Sequence, residues 1–574
     1  MTQKPESSMG TSVRTPANEP EQGADLLFQA ALQYGYRYVF GNPGTTEAIF
    51  MDALVRYPEL QFVLCLFENV ATGAADGVAR MTGWPALVNL HLSPGLANGL
   101  SNLHNARRAR VPMVVTVGEH DTRHLLEDSS IAGDIEGLAK TVCKWTWTVK
   151  HAGELAETLQ RATTIAMTPP RGPVCLILPT NILAESPRTP DGRVPDIPAL
   201  HIPQIGPAPL QDITYIAEML LSAQHPLLLV GDIQPGAHEH IALLAKLLNV
   251  QVIYDGSPAR MDGRMLQNSS WLPYFPDQRR KSLQKADVIF TIGVSSFTSL
   301  FFYNFDSAPI VAPETQVIQL GEDLPALGKN ARGSFLLYGD IESSLGLLVA
   351  ELRERLRQPE SEAQPRIALR SGDKHTDAAT KATALTPKVL MQTLQQVIPE
   401  DTILINESIT AGQALINEVL NVGAPVETYL ASRGGALGAG IPLAIGAQLG
   451  APDQPVIAVV GDGSAMYSIQ ALWSLERYHL PVLTIICNNA SYDIIKLEIL
   501  RLGGTLAHRG SAEMETVTSI GGPRLNFVQL AEGMGVRGWT VRQTGDLLLA
   551  LQAALAICAK GEPALVDVHL TSHP

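Results

Sequence analysis

The chain has 574 residues, enough for roughly three or four domains, with 45% hydrophobic residues, 17% charged residues and a formal net charge of −14. That acidity argues against nucleic acid or an anionic membrane surface as partner, and leaves small anionic ligands open because these answer to local charge. Cysteines 65, 143, 175, 487 and 558 stand in or beside apolar stretches with no CxxC pair, which predicts reduced core thiols in a cytoplasmic protein rather than a disulfide frame or a zinc site.

Residues 1–21 are polar, lack the apolar core of a secretory signal and read as a flexible tail. From residue 22 onward, short apolar runs alternate with helix-period segments, and the expected fold is α/β, three doubly wound parallel-sheet domains. In the first domain, 22–183, strands are read at YRYVFG, LQFVLCL, PALVNLH, PMVVTVG and GPVCLILP. A proline-dense linker at 184–210 leads to the central domain, 211–356, with strands at PLLLVG, VQVIYD, DVIFTIG and TQVIQLG. The polar stretch 357–386 reads as a second linker, and the third domain, 387–574, carries TILINE, PVIAVVGDG, PVLTIICNN and PALVDVHL. No run reaches the roughly 18 uninterrupted apolar residues of a membrane span.

Gly461-Asp462-Gly463 stops a buried strand with a charge, which is poor packing material. About one strand–helix–strand unit later come Asn488 and Asn489, so Asp462 and the asparagine pair are expected on one edge of the sheet. An aspartate, an amide oxygen and a nearby main-chain carbonyl make a hard oxygen shell that suits Mg²⁺. A helix starting near Ser464 and carrying Met466, Ile469, Leu472 and Trp473 would aim free N–H groups at the same place, favouring a diphosphate. Glycines 461 and 463 would allow close backbone approach. The plain alternative is two unrelated strand-end turns.

The stretch GDGSAMYSIQALWSLERYHLPVLTIICNN resembles the cofactor motif of the thiamine-diphosphate enzymes of the acetolactate synthase, pyruvate oxidase and benzoylformate decarboxylase group. The resemblance runs over residues 22–574, is closest to benzoylformate decarboxylase, and implies a pyrimidine-binding, a middle and a diphosphate-binding domain in that order. By this match Asp462, Asn489 and the main-chain oxygen of Ser491 would hold Mg²⁺, with Ser464 and Tyr492 beside the cofactor. Glu68, the lone acid after LQFVLCL, is costly if buried and unpaired. In the family a glutamate there bonds the pyrimidine nitrogen, drives the imino tautomer and reaches the cofactor of a neighbouring subunit, implying at least a homodimer and commonly a tetramer. As a plain alternative Glu68 caps a helix start. In ASRGGALGAGIPLAIG, Gly435 would accept a bond from the cofactor's amino group and Leu437 would support the bend between its rings. Glu407 and Ser408, in INESIT, would meet the pyrimidine side.

On the substrate side, Thr45 aligns with a serine that contacts substrate carboxylate, although it could equally cap a helix ahead of Glu47. The resemblance implies a proton-transfer role for His91, the plain alternative being a satisfied structural histidine. Departures from the family pattern cluster here. Leu300 stands where a second histidine is expected, and Ala431 and Glu498 stand where aromatic residues line a ring pocket, near Ile494. Glu119 replaces a glutamine, and the following His120 is either the missing proton donor or an exposed loop histidine. These changes point away from an aryl substrate. The resemblance implies a decarboxylase of a 2-oxo acid, or a carboligase using an aldehyde or second oxo acid as acceptor; a catalytically silent paralogue is the alternative of another class. LLLVGDIQPGAHEH lacks a GxGxxG loop, so FAD is not expected.

Overall fold

The computed structural model describes residues 19–571, apart from 235, 257, 295–296, 298–308, 330–332, 357–383 and 510. Leu300 therefore lies outside the described residues. The apolar runs form strands, several buried along their whole length, such as Ala86–Leu90, Pro173–Pro179 and Val482–Asn488. Burial on both faces is what a parallel sheet flanked by helices demands. Three such sheets appear, as the alternating pattern predicts.

In the first sheet the strands lie in the order Gln61–Leu64, Tyr38–Asn42, Ala86–Leu90, Met113–Glu119, Pro173–Pro179, Thr146–Thr148. The central sheet runs Ser270–Trp271, Gln251–Tyr254, Pro226–Val230, Val288–Ile292, Gln316–Gly321, Phe335–Tyr338. The third runs Arg537–Val541, Ala564–His569, Val482–Asn488, Val456–Gly461, Thr402–Glu407, Val426–Ala431 and then Arg260–Asp262. That last strand comes from the central part of the chain and pairs antiparallel, Tyr429 opposite Met261. Strands the periodicity does not signal are short, edge-lying or interrupted by polar residues, as in Val426–Ala431 with Glu427 and Thr428.

In doubly wound sheets ligands bind beyond the strands' C-terminal ends, where the winding direction reverses. The first sheet reverses between Tyr38–Asn42 and Ala86–Leu90, and the third between Thr402–Glu407 and Val456–Gly461. These two edges carry Thr45 and His91, and Ser408 and Asp462, respectively.

The first and third domains meet helix on helix. Helix Glu68–Thr82 packs on helix Gly440–Gly450 so closely that a Cβ at Gly446 would stand 1.9 Å from the Ala74 carbonyl oxygen, and one at Gly77 would stand 2.3 Å from that of Leu443. One turn along, Arg80 is buried in a bidentate pair with Asp76 and donates to the carbonyls of Ala259 and Ala431, one in each of the other two domains. Among the described residues no helix is long and apolar enough to cross a membrane.

The expected long helix from Ser464 does not form. A four-residue helix, Asp462–Ala465, gives way to turns, and a second helix begins at Ala471. The turns let Tyr467 pass under Gly438, where a Cβ would lie 2.7 Å from that of Tyr467. Four residues carry little macrodipole, so an anion here depends on individual N–H groups.

Candidate functional site

At the third sheet's reversal point a cleft is lined by Ser408, Leu437, Gly461, Asp462, Gly463, Ser464, Asn489, Ser491, Tyr492 and Ile494. Ten residues singled out from the sequence thus converge on one place. Asp462 is buried, its Oδ1 accepting from the Gly463 N–H at 2.7 Å and its Oδ2 from the Ala490 N–H at 2.7 Å. Burial lifts its pKa from 3.8 to about 6; the two N–H groups pull it down, and the nearby Asp493 and Asp567 add to the rise. Asn489 donates to Asp493 at 2.9 Å and accepts from the Ser491 N–H at 3.1 Å. The Ser491 hydroxyl is buried without a hydrogen-bond partner. An unpartnered hydroxyl in a cleft that also holds a buried carboxylate leaves polar capacity for a ligand.

Among the described residues no group of three or more His, Cys, Asp or Glu side chains is placed to hold a metal ion. A cation in this cleft would rest on one carboxylate with amide and main-chain oxygens, the set Asp462, Asn489 and Ser491 could offer. Gly463 is needed by the protein itself, because a Cβ there would lie 2.5 Å from the Tyr492 ring. At Gly461 the nearest neighbour would be 3.7 Å away, ordinary contact, so close packing within the chain does not demand that glycine.

Backbone strain marks the same edges. Leu92, Ile409 and Ala490 have φ of 50°, 49° and 54°, and each directly follows a site residue, His91, Ser408 and Asn489. A β-branched or bulky residue in the left-handed region is held there by its surroundings, and such positions cluster at functional sites.

Glu407 does not line the cleft. Its buried carboxylate accepts from the N–H groups of Gly438, Ala439 and Gly440 at 2.8, 3.1 and 2.7 Å, and burial pushes its pKa up to about 7 against their pull. It therefore shapes the loop that carries Gly435, at φ +77°, and Leu437. Ala431 is buried in its strand and also lies outside the cleft. Glu498 is not a free acid: Arg501, three residues on in the same helix, meets both its oxygens at 2.8 and 2.6 Å and lies over the Phe275 ring of the central domain.

The first domain builds a separate cluster. His91 Nδ1 is 2.8 Å from Glu47 Oε2, which also accepts from the Gly44 N–H at 2.9 Å, while Thr46 donates to Glu47 Oε1 at 2.8 Å. Glu47 is 1% exposed. Glycines make this room: a Cβ at Gly118 would lie 1.8 Å from Glu47 Oε1, and one at Gly44 would lie 2.3 Å from the His91 ring. The sequence reading named Glu47 only as the residue behind a Thr45 cap and missed its pairing with His91; an acid three residues after Gly44 was a legible cap signal. That cap belongs to Gly44 and Glu47; Thr45 is exposed and takes no part in it. His120 is held by the Ser129 hydroxyl at 2.6 Å, and Glu119 bonds the N–H of His120. Glu68 is the first residue of its helix, with Phe67 at the cap position; it is 7% exposed and accepts from Asn98 at 3.1 Å. Neither Glu68, Thr45 nor His91 lines the third-domain cleft of its own chain.

Three doubly wound parallel-sheet domains, the first and third with polar clusters at their reversal points, have the architecture of the thiamine diphosphate enzymes as a class. The model of the thiamine pyrophosphate enzyme N-terminal TPP binding domain matches residues 21–138, and that of the C-terminal TPP binding domain matches 410–568. A Mycobacterium tuberculosis protein provisionally named acetolactate synthase large subunit IlvX is 34% identical over 557 residues, 96% of this chain and 99% of that one. Benzoylformate decarboxylase of Pseudomonas aeruginosa is 29% identical over 94% of this chain and 97% of its own. The solved thiamine diphosphate-dependent 4-hydroxybenzoylformate decarboxylase of Rhodococcus jostii RHA1 superposes with a TM-score of 0.82 at 27% identity, covering 96% of this chain and 99% of that one. The chain belongs to the thiamine pyrophosphate enzyme family.

Proposed function

We propose that the chain is a thiamine diphosphate- and Mg²⁺-dependent decarboxylase of a 2-oxo acid, acting as a homodimer or a larger assembly of such dimers. The observation that carries the decarboxylase reading is the His91–Glu47 pair, because release of CO₂ must be followed by delivery of a proton to carbon. Glu47 engages Nδ1, which leaves Nε2 of a partly exposed ring for substrate.

Thiamine diphosphate, when bound, supplies a nucleophilic carbon and an electron sink into which a carboxylate can be lost as CO₂. The chain's own groups do the rest. Asp462, Asn489 and the Ser491 main-chain oxygen would bind the diphosphate through Mg²⁺. Leu437 would press the cofactor into its bent shape, and Glu68 would hold a proton at the pyrimidine nitrogen. Glu68 and the third-domain cleft do not meet within one chain, which supports a site completed by a second copy. Exposed apolar residues beside the cleft, Ile409, Met466, Tyr467 and Ile495, support the same reading.

The ion pair on Glu498 bears on the substrate. A free acid there would repel the carboxylate of a 2-oxo acid, and Arg501 cancels that repulsion. A second reading, carboligation onto an aldehyde or another oxo acid, is favoured by the similarity to the IlvX protein. Incubation with thiamine diphosphate, Mg²⁺ and a panel of 2-oxo acids, with and without aldehyde acceptors, separates the two. CO₂ with an aldehyde product supports decarboxylation, and 2-hydroxy ketones support ligation. Neither product from any substrate would leave only the silent paralogue.

A further inference from the structure

The loop 432–440 carries the two groups expected to shape the cofactor, Gly435 and Leu437, and it is tied down from outside at Arg433, Ala436 and Gly438 to Gly440. Glu407 of its own domain holds the N–H groups of Gly438, Ala439 and Gly440. The first domain holds the middle: Asn105 accepts from the Ala436 N–H at 3.1 Å and donates to the Ala436 carbonyl at 2.9 Å, and Asn102 donates to the Gly438 carbonyl at 3.2 Å. A Cβ at Gly434 would stand 2.4 Å from Asn105 Oδ1, so the asparagine reads the backbone at contact distance.

The near end is held by the central domain. Arg433 Nε lies 3.0 Å from Asp232 Oδ2, and its NH1 lies 2.7 Å from Asp255 Oδ2. Both acids stand just past the C-terminal ends of neighbouring central strands, Pro226–Val230 and Gln251–Tyr254. Each acid has its other oxygen occupied, Asp232 by the Ala259 N–H at 2.6 Å and Asp255 by the Gly256 N–H at 2.8 Å. Arg279 approaches Asp255 at 3.8 Å. The two arginines and two aspartates make a neutral buried group, side chains 5–14% exposed. Desolvated charges are stable only with such pairing, so the acids admit one position of the Arg433 fork and little else.

We propose that Arg433, gripped by Asp232 and Asp255, is a positioning residue through which the central domain sets the conformation of the cofactor loop. This rests on the thiamine diphosphate reading. A clamp meant only to join domains could end on any surface; this one ends two residues before Gly435 and four before Leu437. The central domain thereby acts on the cofactor's bend without touching it.

The test compares wild type, Arg433→Met, Arg433→Lys, Leu437→Ala and the Arg433→Met/Leu437→Ala double variant as purified full-length protein. The affinity of the cofactor-free protein for thiamine diphosphate at saturating Mg²⁺ is read by calorimetric titration, beside kcat and KM for the oxo acid at saturating cofactor. Arg433→Met is expected to weaken cofactor binding roughly tenfold and to lower kcat on the order of 10²-fold, the scale of a small misplacement of reacting groups. KM for the oxo acid stays within about twofold, since uniform substrate binding is untouched. Arg433→Lys keeps the charge but not the fork and should recover part of both losses. In the Leu437→Ala background the added effect of Arg433→Met should largely vanish, because both act through the same loop. Folded Arg433 variants that bind cofactor like wild type, or losses that simply add to those of Leu437→Ala, overturn the clamp. Should Arg433→Met not fold, Arg433→Lys carries the same comparison. Absence of binding by wild type would instead overturn the cofactor assignment itself.

Discussion

Replacing Asp462 by asparagine should make the stability of the cofactor-free protein less sensitive to pH while abolishing its stabilisation by cofactor. The folded pKa of Asp462 is about 6 against an ordinary 3.8. A pKa raised on folding means that the folded state binds the extra proton, so its contribution is fully present below about pH 4 and is lost as pH rises through 6. The shift corresponds to about 3 kcal/mol at neutral pH. Asparagine removes that cost, but its amide must face one of two N–H groups that the carboxylate now accepts, from Gly463 and Ala490. Leaving one buried donor unmatched costs about 1–3 kcal/mol. At pH 8 the first term matches or exceeds the second by up to about 2 kcal/mol, while at pH 4 mainly the second survives and the variant is the less stable protein. The difference between variant and wild type, followed by urea unfolding of metal-free protein from pH 4 to 8, should therefore move by about 3 kcal/mol in favour of the variant as pH rises. Titrating groups that do not face Asp462 are common to both proteins and drop out, while its repulsion with Asp493 and Asp567 is already part of the shift and vanishes in the variant. With Mg²⁺ and thiamine diphosphate at about 100 times their dissociation constant, wild type gains about 2.7 kcal/mol and the variant nothing. A difference that does not change with pH, or equal protection by cofactor, refutes the placement of this carboxylate.

Glu68→Gln should cut turnover by at least about 10²-fold while thiamine diphosphate still binds, because the amide occupies the same space but cannot exchange the proton; near-normal turnover would remove Glu68 from the chemistry. Glu47→Gln can still accept from Gly44 and turn its amide toward the Thr46 hydroxyl, so only the charge is lost, about 1 kcal/mol and roughly fivefold in kcat/KM. Gly118→Ala strikes the same pair sterically, since the new methyl must evict the Glu47 carboxylate 1.8 Å away. Its kcat/KM should fall further than that of Glu47→Gln with cofactor affinity unchanged, and wild-type kinetics would show that Glu47 does not govern His91.

Local pattern carried a large share of the site. Asp462 and Asn489 are separated by one strand–helix–strand unit, and such a unit returns the chain to the same sheet edge whatever surrounds it. The third-domain cleft was legible for that reason. The helix expected from Ser464 was not, because its break at Met466–Gln470 answers to Gly438 packing on Tyr467 from another part of the chain. Glu498 was read only as an acid in place of a pocket aromatic; its pairing with Arg501, at helical spacing, was a signal present in the sequence and passed over.

The sequence by itself determined three parallel α/β domains, their strand ends and the residue types gathered at the third domain's edge, because apolar periodicity and strand–helix–strand geometry act over a few tens of residues. Tertiary structure alone decided which partners met across longer distances: Glu47 with His91, Arg433 with Asp232 and Asp255, Asn105 with Ala436, and the Arg260–Asp262 strand on the third sheet. Those pairings depend on how separate domains dock. Docking here is fixed by glycine-tight helix contact and by buried charges that accept a single geometry, properties of surfaces that exist only after each domain has folded.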